Sequence, residues 1–294
     1  MPPPATPSLT PGQTLGLIAG QGRLPFMVVQ GARAAGLRIA AIGISGHCDP
    51  SLRELCDEYR EVAVLRLGGW SKKLRQMGAS CAVMVGRVEK SSRVHDPLRL
   101  FREAPDLTTA LVWYRRLRHD RRSPAILKAV ADTLAEGGVP LIDSTSYITD
   151  HLATPGVMTR RAPTRDELAD IRFGWPLLRQ TLALHIGQAI AVKERDVLAV
   201  EAIEGTDRMI ERVAPLCPRG GWTLLKGAHP DHDRRADVPT IGEPTIRRLA
   251  QAGARCAALG ARDVILIDKP KTLALADELG VALVGVPTEG PDGL

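Results

Sequence analysis

The sequence predicts an α/β protein of two domains, an N-terminal Rossmann-like parallel sheet followed by a second α/β domain. Three observations lead there. Short apolar runs that read as buried strands alternate with helix-period segments through both halves of the chain. The 294 residues, 44% of them hydrophobic, suffice for two cores. Thr154-Pro155-Gly156 and the run from Arg160 to Pro163 punctuate the middle of the chain as a linker. The expected division is a disordered tail over 1–13, an N-terminal domain over 14–150, a linker over 151–163 and a C-terminal domain over 164–294.

Taken in order, Met1 to Pro11 is rich in Pro, Ser and Thr and has no periodicity, hence the tail. Leu15 to Ala19 reads as a buried strand that runs into Gly20-Gln21-Gly22-Arg23-Leu24-Pro25 and a helix from Phe26 to Ala35. A glycine turn feeding a helix N-terminus offers free N–H groups to a phosphate. A merely tight connection is the alternative. A nicotinamide site is disfavoured, since the third glycine of the dinucleotide fingerprint is missing.

Strand Arg38 to Ile44, a helix around Pro50 to Cys56, strand Glu61 to Leu65, a helix from Gly69 to Met77 and strand Cys81 to Val85 continue the alternation. Ligands of open α/β sheets collect beyond the carboxyl ends of strands, so Gly20, Gly22, Gly86 and Arg87 are expected along one crevice. Helical stretches at Leu98 to Glu103, Leu107 to Arg118 and Pro124 to Glu136 precede a last strand, Val139 to Asp143. The second half reads as a helix from Thr164 to Ile190, whole or broken at Gly174 to Pro176, then strand Asp196 to Val200 and a helix through Arg212. Strand Trp222 to Lys226, a polar stretch, helix Glu243 to Ala252, strand Asp263 to Ile267, helix Lys269 to Leu279 and strand Ala282 to Val286 complete it.

Charge is divided unevenly. Residues 1–150 carry 20 Lys+Arg against 14 Asp+Glu, and residues 151–294 carry 19 against 19, so the whole excess of +6 lies in the first half. Its densest basic run, Arg115, Arg116, Arg118, His119, Arg121 and Arg122, suits a phosphorylated ligand, an anionic membrane surface, or plain solvation of a helix end. Aromatic residues at 3% supply no stacking platform for nucleic acid. Apolar runs are too short to span a bilayer and no secretory leader opens the sequence, which predicts a cytoplasmic protein. The five cysteines lack CxxC spacing and read as reduced structural thiols.

Two polar clusters follow strands in the second half. Lys226 to Gly242 carries Lys226, His229, Asp231, His232, Asp233, Arg234, Arg235 and Asp237 between Pro230 and Pro239, with neither apolar period. Such a loop suits a metal-assisted phosphate site, and equally a solvated turn laced with ion pairs. Glu201, Glu204 and Asp207 lie at another strand end, where Thr206 or Asp207 can cap the next helix. Three carboxylates there fit oxygen ligation of Mg²⁺. His229 and His232 read as hydrogen-bond donors to phosphate, and His185 as a lone packing residue.

Four segments together carry a resemblance. They are Gly16-Leu17-Ile18-Ala19-Gly20-Gln21-Gly22-Arg23-Leu24-Pro25, Val85-Gly86-Arg87-Val88, Ile186-Gly187-Gln188 followed by a strand ending in Val200 to Asp207, and the run from Lys226 to Gly242. In order and over nearly the whole chain, Leu15 to Pro287, this pattern resembles the LpxI family, the UDP-2,3-diacylglucosamine pyrophosphatases of lipid A biosynthesis. The resemblance implies a substrate held in an interdomain cleft. It also implies divalent-cation-dependent cleavage of UDP-2,3-diacylglucosamine to UMP and 2,3-diacylglucosamine 1-phosphate (lipid X). The family's D-x-R-x-D run falls on Asp233, Arg235 and Asp237. His229 and His232 stand where that run has Lys and Gln, and His in place of a permanently charged Lys weakens phosphate binding near neutral pH.

The expected catalytic residues are Asp233, Arg235, Asp237 and Lys226, with Asp233, Asp237, Glu204 and Asp207 as Mg²⁺ ligands. Substrate contacts are expected from Gly20, Gln21, Gly22, Leu24, Gly86 and Arg87, and from Glu204, Gly205, Thr206, Asp207, His229, His232 and Thr240. The partners expected are the lipid substrate and, by peripheral contact, the inner face of the cytoplasmic membrane, with no nucleic acid; a homo-oligomer is allowed. A protein that binds such a precursor without cleaving it is the second reading.

Overall fold

A computed structural model describes residues 9–88, 104–120, 122–229, 233–235 and 238–291, and the chain divides into two units. One comprises the chain up to Ile148 together with residues 233–235; the other comprises the remainder from Thr149 onward.

In the first unit, β1 (Thr14–Ala19) leads through α1 (Leu24–Ala34) to β2 (Arg38–Ile44), and a 3₁₀ turn at Pro50–Leu55 leads to β3 (Glu58–Val62). α2 (Gly68–Gln76) then crosses to β4 (Ala82–Val85). The strands are parallel in the order β3-β2-β1-β4, with Leu17 opposite Ala41 and Ile18 opposite Met84. All but one residue of β1 and of β2 are buried, as strands covered on both faces require. β3 lies three residues before its expected place, because the burial of Val62 and not of Leu65 fixes the register. α3 (Leu107–Val112) continues as a π-helical turn at Trp113–Leu117 and is followed by α4 (Ser123–Glu136). The strand expected at 139–143 reduces to one parallel bridge, Leu141 to Ala82, since Pro140 has no N–H to extend a ladder. The tail up to residue 8 and the helix expected at Leu98 to Glu103 lie outside the described residues.

The second unit begins where a linker was expected, and that stretch is structured. β5 (Gly156–Val157) pairs antiparallel with the last strand, Leu152 bridges Ile265, and the N–H of Leu283 donates to the Thr159 hydroxyl at 2.9 Å. α5 (Arg165–Ala183) starts at a capping box in which Thr164 and Glu167 exchange bonds. It runs unbroken through Gly174 and Pro176. Gly174 is there for proximity: a Cβ would lie 2.8 Å from Val192 and 3.0 Å from Leu225, side chains of the sheet beneath.

β6 (Ala189–Lys193), whose first two residues fall within the helix expected to reach Ile190, and β7 (Asp196–Val200) form an antiparallel pair. α6 (Thr206–Leu216), β8 (Trp222–Lys226), β9 (Thr240–Ile241), α7 (Glu243–Gln251) and β10 (Ala254–Gly260) follow. The chain continues through β11 (Ile265–Leu266) and α8 (Lys269–Leu279) to β12 (Ala282–Val286). The main sheet runs β5-β12-β10-β8-β6-β7, with β12, β10 and β8 parallel and β9-β11 a separate pair. β10 escaped the sequence reading because Ala-Arg-Cys-Ala-Ala-Leu-Gly lacks β-branched residues; small side chains suit a central strand buried between helices.

Candidate active site

Strand order 3-2-1-4 places the first unit's topological switch point between β1 and β4, where an open crevice is the rule. Here the backbones close it. The N–H of Gly20 donates to the Val85 carbonyl at 2.9 Å, and Gln21 and Arg87 exchange bonds of 2.8 and 2.9 Å. A Cβ on Gly20 would stand 2.7 Å from the Arg87 carbonyl oxygen. Gly20 and Gly86 therefore permit close contact between two chain segments at the place where a crevice with Gly22 and Arg87 was expected. Gly20→Ala should force the Gln21–Arg87 bridge apart at a cost of about 1–3 kcal/mol, read as a lowered Tm in thermal denaturation.

The opening lies instead beside β2. A depression lined by Gln21, Gly22, Arg23, Phe26, His47, Asp49, Pro50 and Ser51 faces the carboxyl ends of β1 and β2. Gly22, at φ +103°, leaves its backbone open, Leu24 begins α1, and Arg23 stacks over Phe26 at 5.7 Å. Backbone and side-chain bonds from Ser51 hold Asp49 below the usual carboxylate range, so the depression carries a fixed anion beside Arg23.

Residues 233–235 belong to this unit. Asp233 and Arg235 form a fork: Arg235 Nε donates to Oδ1 at 2.7 Å and a terminal nitrogen to Oδ2 at 2.5 Å, and the Arg235 N–H adds a bond to Oδ1 at 3.1 Å. Burial acts to raise the Asp233 pKa, but these bonds and the charge of Arg235 outweigh it, and the carboxyl lies below its ordinary range. Of about four lone-pair positions on a carboxylate, three are taken, which leaves one on Oδ2.

Arg234, which sequence reasoning passed over, is the anchor. Its Nε donates to Asp143 Oδ2 at 2.7 Å, a terminal nitrogen donates to Thr145 Oγ1 at 2.9 Å, and its carbonyl accepts from Ser144 N–H at 2.9 Å. Asp143 in turn accepts from the N–H and hydroxyl of Thr145 at 2.8 and 2.7 Å. An Asp followed two residues later by Thr is the sequence signal of such a turn, but nothing marks it as the seat of a loop 91 residues distant.

In the second unit Lys226 ends β8, 5% exposed, and its Nζ donates to Thr206 Oγ1 at 2.7 Å. Thr206 donates onward to Glu201 at 3.0 Å. Gly205, at φ +83°, precedes the N-terminus of α6 with no atom within 4 Å of where its Cβ would stand. A buried cation, a hydroxyl and open helix N–H groups make a setting for one phosphate.

The three acids of that segment diverge. Glu201 faces Thr206, Glu204 pairs with Arg212 at 2.6 Å, and Asp207 lies 3.4 Å from Arg248. The N–H of its own residue, and then Arg212, hold the Glu204 pKa low. Glu204 and Asp207 each have an arginine partner, and among the described residues no three His, Cys, Asp or Glu side chains gather around a metal position. Among the described residues, Asp233 keeps one ligand position, on Oδ2. Asp237 and His232 lie outside the described residues.

His229 stacks on His185 with ring centroids 4.6 Å apart and 9° between planes, so His185 is not the lone residue it seemed. Thr240 is half-buried in β9, opposite Ile265.

Comparison with known proteins bears on the whole chain. Residues 14–151 match the LpxI N-terminal domain and residues 154–284 the LpxI C-terminal domain. The UDP-2,3-diacylglucosamine pyrophosphatase LpxI of Caulobacter vibrioides is 32% identical over 289 residues, covering 94% of this chain and 99% of its own length. Among solved structures, N5-carboxyaminoimidazole synthetase from Staphylococcus aureus complexed with ADP aligns with 62% of this chain at 17% identity and a TM-score of 0.23. Phosphoribosylglycinamide synthetase from Anaerococcus prevotii aligns with 66% at 11% identity and 0.22. This chain spans 38% and 40% of those two structures, and likenesses so slight bear on neither fold nor activity. With both halves matched in order and a relative aligned almost end to end, the chain belongs to the LpxI family.

Proposed function

We propose that this protein hydrolyses the diphosphate of UDP-2,3-diacylglucosamine, releasing UMP and 2,3-diacylglucosamine 1-phosphate in lipid A biosynthesis. Membership of the LpxI family supports the substrate and the reaction class. The observation that carries the site is the Asp233–Arg235 fork within the D-x-R-x-D run. The reaction adds a water oxygen to one phosphorus as the bridging P–O bond breaks, so it needs a positioned water and neutralised phosphoryl oxygens. Asp233 orients the water through its remaining lone pair, and Arg235, held in place by the fork, faces phosphoryl oxygen. Lys226, with Thr206 and the α6 N-terminus, receives a phosphate of the substrate.

Mg²⁺ belongs to the proposal as the cation of the diphosphate, because such sites often combine one carboxylate with substrate phosphate and water.

The test is UMP release from detergent-dispersed substrate, followed chromatographically in MgCl₂ and in EDTA. Equimolar UMP and sugar 1-phosphate with Mg²⁺, lost on chelation and restored by excess MgCl₂, is the expected result. Tight binding without turnover would leave a precursor-binding protein and overturn hydrolysis. Turnover indifferent to EDTA would remove the cation alone.

A further inference from the structure

One helix of the first unit is apolar on the wrong side. α3 and the turn that extends it lean on the unit through one face: Thr109 accepts from the Leu67 N–H at 3.0 Å, Leu117 is buried, and Arg116 is held by Glu136 at 2.6 Å. The opposite face carries Leu107, Leu111, Tyr114 and Arg118, spaced by four, three and four residues and therefore in one stripe. Leu107 is 77% exposed, Leu111 41% and Tyr114 63%. Arg118 lies over the Tyr114 ring at 5.1 Å, which keeps its charge at the level of the phenol, and Arg115 is exposed beside it. From Leu107 to Arg118 the chain has three arginines and no acid.

We propose that this stripe docks the protein on an anionic phospholipid bilayer. The leucines enter the acyl boundary, while Tyr114, Arg115 and Arg118 lie among the headgroups, the division of labour of an interfacial helix. Charge complementarity selects the partner: cations border the leucines and no carboxylate of the segment repels lipid phosphate. The preference for a bilayer over a protein rests also on the diacyl substrate proposed above. Two leucines and two outward arginines make the contact weak and reversible, suited to an enzyme that collects substrate from a membrane and leaves again.

The test is flotation of the full-length protein with vesicles of phosphatidylethanolamine and phosphatidylglycerol, and with phosphatidylcholine vesicles as the neutral comparison. Wild type is expected to float with the anionic vesicles and not with the neutral ones. Removing one outward arginine, Arg115→Gln or Arg118→Gln, should weaken binding about fivefold. Leu111→Glu with Tyr114→Glu should abolish flotation, with the far-ultraviolet spectrum and UMP release from detergent-dispersed substrate unchanged.

Absence of wild-type flotation, or flotation by the double variant, would overturn the proposal. So would a wild-type dimer that the double variant converts to monomer, since the stripe would then face a second copy. Vesicle binding by a protein that releases no UMP would sink the hydrolase reading and leave the docking face standing.

Discussion

Asp233→Asn is expected to slow UMP release by about 10³-fold with a small fall in the thermal midpoint, because the ion pair it breaks is partly exposed. The side chain is 33% exposed, so the isosteric amide opens no cavity, but it removes the negative charge that aligns Arg235 and the lone pair that orients water. Arg235→Lys tests the same unit from the other side, keeping the charge and losing the two-pronged geometry; a smaller loss, about 10–10²-fold, is expected. Wild-type turnover by Asp233→Asn would remove Asp233 from the mechanism.

The pH behaviour follows from the direction of the shift. Because the folded Asp233 pKa lies below its ordinary 3.8, its contribution to stability is present above that value and is lost as pH falls through the lower, folded one. Asp233 is therefore ionised throughout the neutral range. A fall in rate near neutral pH would therefore belong to another group.

Lys226→Met should lower kcat/KM by about 10²–10³-fold, the usual consequence of losing one fixed cation or donor from a phosphate site. It also strands Thr206 and the buried Glu201 without the ammonium that orders them, at a cost of about 1–3 kcal/mol and several degrees in Tm. Thr206→Val keeps the lysine charge and removes one neutral hydroxyl of the phosphate setting together with the link to Glu201. If Lys226 acts on phosphate, Thr206→Val is expected to retain far more activity than Lys226→Met at a comparable loss of Tm. Equal activity in the two variants would reduce Lys226 to a structural part. Initial rates of UMP release at several substrate concentrations, beside melting curves, decide between them.

Much of the fold was legible because strand and helix periods are strong, local signals; β2, β7, β8, α8 and β12 fall where the apolar pattern puts them. The failures share a physical origin in tertiary context. β10 is built of small residues whose only reason to be extended is the space between neighbours, and Gly174, where a helix break was one reading, marks a close crossing over Val192 and Leu225. For the proposed chemistry, the types and order of Asp233, Arg235 and Lys226 were legible in the sequence. Their partners were not. Proximity along the chain suggested that Glu201, Glu204 and Asp207 act together, whereas successive side chains at a helix start point in different directions and each finds its own cation or hydroxyl. Asp143 was hidden for the opposite reason, being far from Arg234 in sequence and adjacent in space.

That last contact orders events in time. Arg234 closes a span of 91 residues onto a turn that exists only after Asp143 to Thr145 has formed behind α4. Closing so long a span costs chain entropy before any bond repays it, which makes such pairings late steps of folding. The segment bearing Asp233 takes its shape from a surface completed elsewhere in the chain. In refolding, the far-ultraviolet signal is therefore expected to return before UMP release does.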